Sequence, residues 1–218
     1  MKSIFHQLKN LPADVETFYA KFADLYTLLC SENRKNNLTR ITDENDYWIK
    51  HIYDSLLVAD SFPEITRKGV TIADLGCGAG FPSIVLAAAF PEIHVTAIDS
   101  IGKKTAFVQK AAEELQLDNL EVITGRGREL AAKEKFQNRF DYITARAVSE
   151  LKTIFRESRR MLKPTGKMIL FKTPKTVESE ICEVRRITEK SGFTWNLSSN
   201  YTLPENKGER VFAIGEKV

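Results

Sequence analysis

The chain has 218 residues, enough for one large domain or one domain with an extension. Hydrophobic residues make up 43% and charged residues 28%, an ordinary globular balance that excludes disordered and fibrous classes. A net charge of +3 is too mild to demand a nucleic-acid partner, and it does not oppose one.

Apolar residues at Val15, Phe18, Phe22, Leu25, Tyr26 and Leu29 predict an amphipathic helix over 13–29. Residues 31–46 are polar and read as a loop. A second helix is expected over 43–61, through Tyr47, Trp48, Ile52, Leu56 and Ala59. From Val70 the rhythm changes. Strands are expected at 70–75, 94–99, 120–124, 140–148 and 167–172. Helices are expected at 82–90, 102–115, 151–162 and 177–191. The tail reads as two more strands, FTWNLSSNYTL and ERVFAIGEK, joined by the turn PENKGE. Strands alternating with helices predict an α/β, doubly wound, mostly parallel sheet of seven strands. No helix separates the last two strands, so the last is expected to run antiparallel. The expected division is a helical extension over 1–66 and an α/β domain over 67–218.

The N-terminus lacks the apolar core of a signal peptide. No stretch reaches the roughly 18 apolar residues of a membrane span. Cys30, Cys77 and Cys182 lie far apart and form no metal-ligand spacing. A soluble, cytoplasmic protein without a metal is expected.

The stretch IADLGCGAGFPSI carries the first chemistry. Gly76, Gly78 and Gly80 form G-x-G-x-G after a predicted strand. The dinucleotide fingerprint is G-x-G-x-x-G, and its pyrophosphate uses N–H donors at the following helix. Here Pro82 removes one such donor, and no G-K-[ST] follows for a triphosphate loop. Phe81 points to an apolar contact beside the turn. Asp99, at the end of the second predicted strand, suits the two hydroxyls of a ribose. A cofactor with a ribose and a purine but no phosphate satisfies these features: S-adenosylmethionine. Asp74, ending the first strand, would add a carboxylate near the methionine end. Cys77 reads as a small packing residue, since no histidine lies near it in sequence.

Four stretches then look familiar: NLTRI (37–41) followed by HIYDSL (51–56), DLGCGAGFPSI (74–84), DSIGKK (99–104) and ARA (145–147). With them the chain resembles the bacterial RsmG (GidB) family. The resemblance implies methylation of guanine N7 in 16S ribosomal RNA; the expected partner is that RNA or a small-subunit particle, and the expected state a monomer. It implies cofactor contacts at Gly76 and Phe81, and at Gly127 and Arg128 after the third strand. Arg146, after the fourth strand, would lie beside the methyl donor. Asn37, His51, Asp54 and Ser55 would face the RNA from the extension. Two places depart from the family pattern: Arg128 stands where glutamate is usual, and Thr173-Pro174 follows Lys172 where glycine is usual.

Guanine N7 carries a lone pair and no proton. Its methylation needs placement rather than a general base. Arg146 offers a planar fork for guanine O6 or for the cofactor carboxylate; otherwise it is a surface arginine closing a loop. His51, Asp54 and Ser55 share a helix face. Adjacent turns of one helix cannot form a Ser-His-Asp triad, and the plain alternative for the three is capping or packing. Arg34, Lys35, Lys103, Lys104, Lys172 and Lys175 are expected at the cleft mouth, facing RNA phosphates. Arg156, Arg159, Arg160 and Lys163 read as a solvated face. The competing readings are a same-fold methyltransferase for a small molecule or protein, a non-catalytic binding module, and an NAD-dependent oxidoreductase.

Overall fold

The first apolar strand is the axis of the architecture, because the chain lays strands first on one side of it and then on the other. In the computed structural model, which describes residues 2–217, β1 (Thr71–Leu75) is flanked by β2 (His94–Asp99) and β4 (Phe140–Arg146). Met1 and Val218, the outer ends of the two expected ranges, lie outside the described residues. β3 (Leu120–Thr124) closes one edge beyond β2, and β5 (Leu162–Lys172) lies beyond β4, all parallel. β8 (Glu209–Lys217) inserts antiparallel between β5 and β6 (Phe193–Leu197). The order is β3-β2-β1-β4-β5-β8-β6, and the two-residue β7 (Tyr201–Thr202) pairs with β8 off this path. The seven-stranded, mostly parallel sheet and its antiparallel last strand are thus present.

Helices cover both faces, which is why the central strands bury runs of consecutive residues rather than alternating ones. On one face lie α1 (Val15–Asn36), α4 (Ser83–Ala89) and α5 (Gly102–Glu114). With them packs a continuous helical run: α2 (Glu44–Asp46), a π-helical stretch (Tyr47–Tyr53) and α3 (Asp54–Ser61). One core joins them to the sheet: Phe22, Tyr47, Ile52 and Leu56 share it with Ile72, Val85 and Phe212. On the other face α6 (Gly127–Ala131), α7 (Leu151–Ser158) and α8 (Pro174–Thr188) enclose Phe140, Ile143, Leu170 and Trp195. Among the described residues no helix is long and apolar enough to cross a membrane.

The boundaries depart from the expected ones for local reasons. α1 runs through 31–36, where a loop was expected, and Arg34 and Lys35 in its last turn suit the negative end of the helix dipole. It stops at Asn37, whose left-handed backbone (φ 50°) lets its N–H reach the Asn33 carbonyl. At the other end the Asp14 side chain accepts the Thr17 N–H at 3.0 Å. α6 is short and was not expected. α7 ends at Ser158, and β5 starts at Leu162, five residues before the predicted 167, with a register shift against β4 between Phe140 and Tyr142. α8 begins at Pro174, a first-turn position that needs no N–H.

Gly80 links the turn after β1 to α4. Its φ is +88°, and an added Cβ would stand 2.3 Å from Ile84 Cδ1 and 2.7 Å from Ile84 Cγ1. Both strain and overlap oppose any side chain there. Gly80→Ala should therefore cost about 2 kcal/mol or more, read as a fall of several degrees in Tm. An unchanged Tm would show that α4 can shift freely.

Candidate active site

The glycine turn is built by backbone and carboxylates together. Gly76 and Cys77 N–H both donate to the Ile98 carbonyl, at 2.7 and 3.0 Å, so the turn folds back over the end of β2. Gly78 N–H donates to Asp99 Oδ2 at 3.0 Å, and Ile101 N–H donates to Asp99 Oδ1 at 2.9 Å. Gly76 and Gly78 have φ of +68° and +57°, which glycine adopts without strain. An added Cβ on Gly76 would lie 2.6 Å from Val148 Cγ2. The loop after β4 therefore rests on the turn itself.

Two clefts open at the C-terminal ends of the strands, where the chain order reverses between β1 and β4. The smaller, about 930 Å³, has Asp99, Ser100, Gly125, Arg126, Gly127 and Arg128 around it and Leu75, Ile98, Ala132 and Ile154 as its apolar surface. The larger, about 1190 Å³, lies between the glycine turn, the 37–41 loop, the π-helical stretch, Phe171, Lys172 and the start of β8. Gly76, Lys104, Ala147 and Val148 border both, so the clefts meet over the turn. Val148 stands at that junction as an exposed aliphatic side chain beside Ala147, whose φ is +54°.

The smaller cleft could hold an adenosine. Asp99 is 94% shielded, each oxygen already fixed by one N–H, with lone pairs left for ribose hydroxyls. Lys104 Nζ lies 4.0 Å from the same carboxylate. The apolar walls suit a purine face, and the cleft contains no lysine-bearing phosphate loop.

The larger cleft has a rigid wall. Arg146, the last residue of β4, donates from Nη1 to the Lys50 carbonyl at 2.8 Å and to Asp54 Oδ2 at 2.9 Å. Its Nη2 lies 3.2 Å from His51 Nδ1, and its guanidinium carbon 6.0 Å from the Phe81 ring centre. Arg210, from β8, grips the same carboxylate at two points: Nε to Oδ1 at 2.7 Å and Nη2 to Oδ2 at 2.8 Å. His51 stacks on Phe81 with ring centres 4.2 Å apart and an 8° tilt. A guanidinium can only donate, so His51 Nδ1 is the acceptor and its proton sits on Nε2, 3.0 Å from Thr39 Oγ1. Burial, aided by the Arg146 charge, lowers the His51 pKa to about 2. The ring is neutral at every physiological pH.

These positions correct several expectations. Ser55 is fully buried and donates to the His51 carbonyl of its own helix, so it cannot face RNA. Asp54 lines the larger cleft but is 99% buried, its carboxylate held between two arginines. Asp74 was expected near the methionine end. Instead its carboxylate takes hydrogen bonds from the Ser83 and Thr144 hydroxyls, the latter at 3.0 Å, and it borders neither cleft. Gly80 serves helix packing and also borders neither. Lys103 is exposed on α5 outside both clefts; its neighbour Lys104 points to them. Arg34, Lys35 and Lys175 are likewise outside both. Asn37, His51, Phe81, Arg146 and Lys172 border the larger cleft, Gly78 does too, and Gly127 and Arg128 border the smaller. Lys172 is tied to Glu180 at 2.7 Å and to the Ser149 carbonyl at 2.9 Å. Cys77 is buried, which pushes its thiol pKa up, as suits a packing residue.

Sequence reasoning missed Arg40, Lys50, Lys207 and Arg210, all on the larger cleft. The basic character of ENRKNNLTR was visible in sequence, but nothing there could bring residues 207 and 210 beside 50 and 54. With Lys104, Arg146 and Lys172 they give the cleft seven cations against two acids, Asp54 and the exposed Glu209. That balance suits a polyanion.

Asp74 yields a pH signature. Burial pushes its pKa up to about 6, against the pull of Ser83, Thr144 and the Arg146 charge. A carboxyl with a folded pKa above its unfolded value binds its proton more tightly when folded. It therefore favours folding below about pH 4 and progressively opposes it as pH rises through 6. Over that window wild type should lose about 3 kcal/mol that Asp74→Asn does not lose. Urea unfolding of both proteins at each pH checks this, since the difference between them cancels His51 and other groups. A constant difference would mean Asp74 is ionised throughout.

Comparison with known proteins identifies the family and the fold. Residues 18–201 match the GidB family model, described as rRNA small subunit methyltransferase G. Ribosomal RNA small subunit methyltransferase G of Staphylococcus aureus is 38% identical over 202 residues, 93% of this chain and 83% of that protein. The protein of the same name from Lactobacillus acidophilus is 33% identical over 198 residues, covering 91% and 82%. Among solved structures, a SAM dependent methyltransferase from Aquifex aeolicus superposes with a TM-score of 0.61 at 20% identity, covering 84% of this chain and 97% of that one. M. jannaschii TYW2 in complex with AdoMet gives 0.59 at 16%, covering 77% and 76%. Those two likenesses speak for the fold. The chain belongs to the GidB family, rRNA small subunit methyltransferase G, and is an S-adenosylmethionine-dependent methyltransferase.

Proposed function

We propose that this enzyme transfers a methyl group to N7 of one guanine in 16S ribosomal RNA, acting as a cytoplasmic monomer. The carrying observation is that none of the buried side chains of the larger cleft is a free general base. His51 is neutral, with one ring nitrogen facing Arg146 and the other Thr39. Asp54 accepts from two guanidiniums, and Cys77 is a buried thiol. Glu209, the remaining carboxylate of this cleft, is exposed to solvent. A nucleophile that must lose a proton before attack is poorly served there. N7, which presents a lone pair on the major-groove edge of guanine, needs only placement and exclusion of water.

In this reading Asp99 takes the ribose hydroxyls of the cofactor, and Gly127 and Arg128 border its adenine. The backbone of Gly76 and Gly78 passes beside its methionine end, with Phe81 behind the turn. S-adenosylmethionine supplies an electrophilic methyl on a sulfonium, and the junction at Gly76 and Val148 is where that methyl would face the larger cleft. Arg146 directs its unengaged N–H groups at O6 of the guanine, which fixes N7 by the rigidity of the base. Arg40, Lys104 and Lys172 with Asn37 face the RNA backbone. The helices of residues 1–66 form one side of this RNA cleft.

Two measurements test the reading. Asp99→Ala should weaken S-adenosylmethionine by about 1–3 kcal/mol in calorimetry, the cost of lost hydrogen bonds to a charged group. An unaltered affinity would take Asp99 out of the site. With unmodified small subunits or 16S RNA, mass spectrometry of nuclease digests should find N7-methylguanine at a single position. Arg146→Lys should lower the rate about tenfold or more, since lysine keeps the charge and loses the fork. The rate should stay flat over about pH 7–9; a tenfold rise per pH unit would demand a general base and overturn N7 as the target.

A further inference from the structure

The Arg146 guanidinium has five N–H bonds, and their partners can be counted. Both Nη1 hydrogens are taken, by the Lys50 carbonyl and Asp54 Oδ2, and one Nη2 hydrogen faces His51 Nδ1. Its Nε–H and the second Nη2–H have no partner among the described residues. Nε and Nη2 form the edge that Arg210 uses to grip Asp54 at two points. The preferred geometry of an isolated arginine–carboxylate pair is that same two-point one. Arg146 sits 2.9 Å from Asp54 and yet makes only a single bond to it. The reason is on the other side of the carboxylate. Arg210 occupies Oδ1 at 2.7 Å and shares Oδ2 at 2.8 Å, and its Nη1 lies 3.4 Å from the Lys172 carbonyl, which fixes the guanidinium.

We propose that Arg210 is a positioning residue for methyl transfer: by holding both oxygens of Asp54 it keeps one edge of the Arg146 guanidinium open for the target guanine. Two cations share one buried anion, so the trio retains a positive charge directed at the cleft. Without the second cation, Asp54 would turn and close on Arg146 at two points. The open edge would be lost, although the site would stay intact and neutral overall. This rests on the reading of Arg146 as the residue that holds the guanine.

Arg210→Lys supplies the same charge with a one-point donor. It should lower kcat about tenfold or more while the KM and calorimetric Kd for S-adenosylmethionine stay within about threefold. Adding Asp54→Asn leaves a single acceptor oxygen, so Arg146 can no longer be gripped at two points. The double variant should recover about fivefold or more of the lost rate. A merely structural Arg210 predicts the reverse: rate loss tracks the fall in Tm, and the double variant is worse than either single one. That pattern overturns the proposal. Arg210→Gln, also a one-point donor, is the second variant; if neither it nor Arg210→Lys binds cofactor, the position is structural and the proposal falls. Arg146→Lys separates the two levels. Full activity in Arg146→Lys removes the reading on which this rests. A crippled Arg146→Lys beside a fully active Arg210→Lys overturns the role of Arg210 alone.

Discussion

A single carboxylate, buried where no water can compensate it, ties the N-terminal helices to the sheet at the mouth of the cleft. Asp54 starts α3, Arg146 ends β4 and Arg210 lies near the start of β8, so the cluster joins three segments that are far apart in the chain. An ionised carboxylate this deep is tolerated only when paired and hydrogen-bonded. The guanidiniums are in turn held by what surrounds them: the Lys50 and Lys172 carbonyls, the His51 ring and the Phe81 face. The wall of the larger cleft inherits its rigidity from this arrangement. Removing Asp54 would leave two buried guanidiniums without their shared anion.

The acids of the site divide their labour by environment. Asp74, sealed beneath the turn, links β1 to Ser83 at the start of α4 and to Thr144 on β4. Asp99 shapes the glycine turn through the Gly78 N–H and still borders the smaller cleft. Asp46 gathers Lys50 and Lys207, at 2.7 and 3.0 Å, and so straps the loop before β8 to the helical run. Each uses the same functional group, and the different outcomes follow from burial and from the number of donors present. In the larger cleft Asp54 is held by two arginines, and the proposed chemistry requires no general base.

The two clefts meet because Gly76 lacks a side chain. Val148 packs where a Cβ on Gly76 would be, and this contact brings the loop after β4 over the turn after β1. The two clefts thereby share a boundary at the turn. In-line transfer needs such a boundary, since donor and acceptor must come within van der Waals distance.

The sequence by itself determined the fold class. Apolar runs of five to seven residues alternating with amphipathic stretches admit few arrangements, and the missing final helix forces the antiparallel strand. It also determined the kind of site: a glycine turn followed by Asp99, without a phosphate loop, is a local pattern and was legible locally. NLTRI, HIYDSL and ARA identified the family for the same reason. Tertiary structure alone decided which polar residues of those motifs face a ligand. His51, Asp54 and Ser55 share a helix face in sequence, yet the sheet buries Ser55 completely and encloses Asp54 between two arginines. Asp74 and Asp99 each end a strand, and only the packing of α4 and β4 around Asp74 distinguishes a sealed acid from one bordering a cleft. Arg210 carries no local signal at all. Its partner lies 156 residues away, and the antiparallel insertion of β8 beside β5 brings the two together. Local pattern encodes periodicity and turn chemistry, whereas ion pairing across a sheet depends on strand order and register, which no short stretch contains.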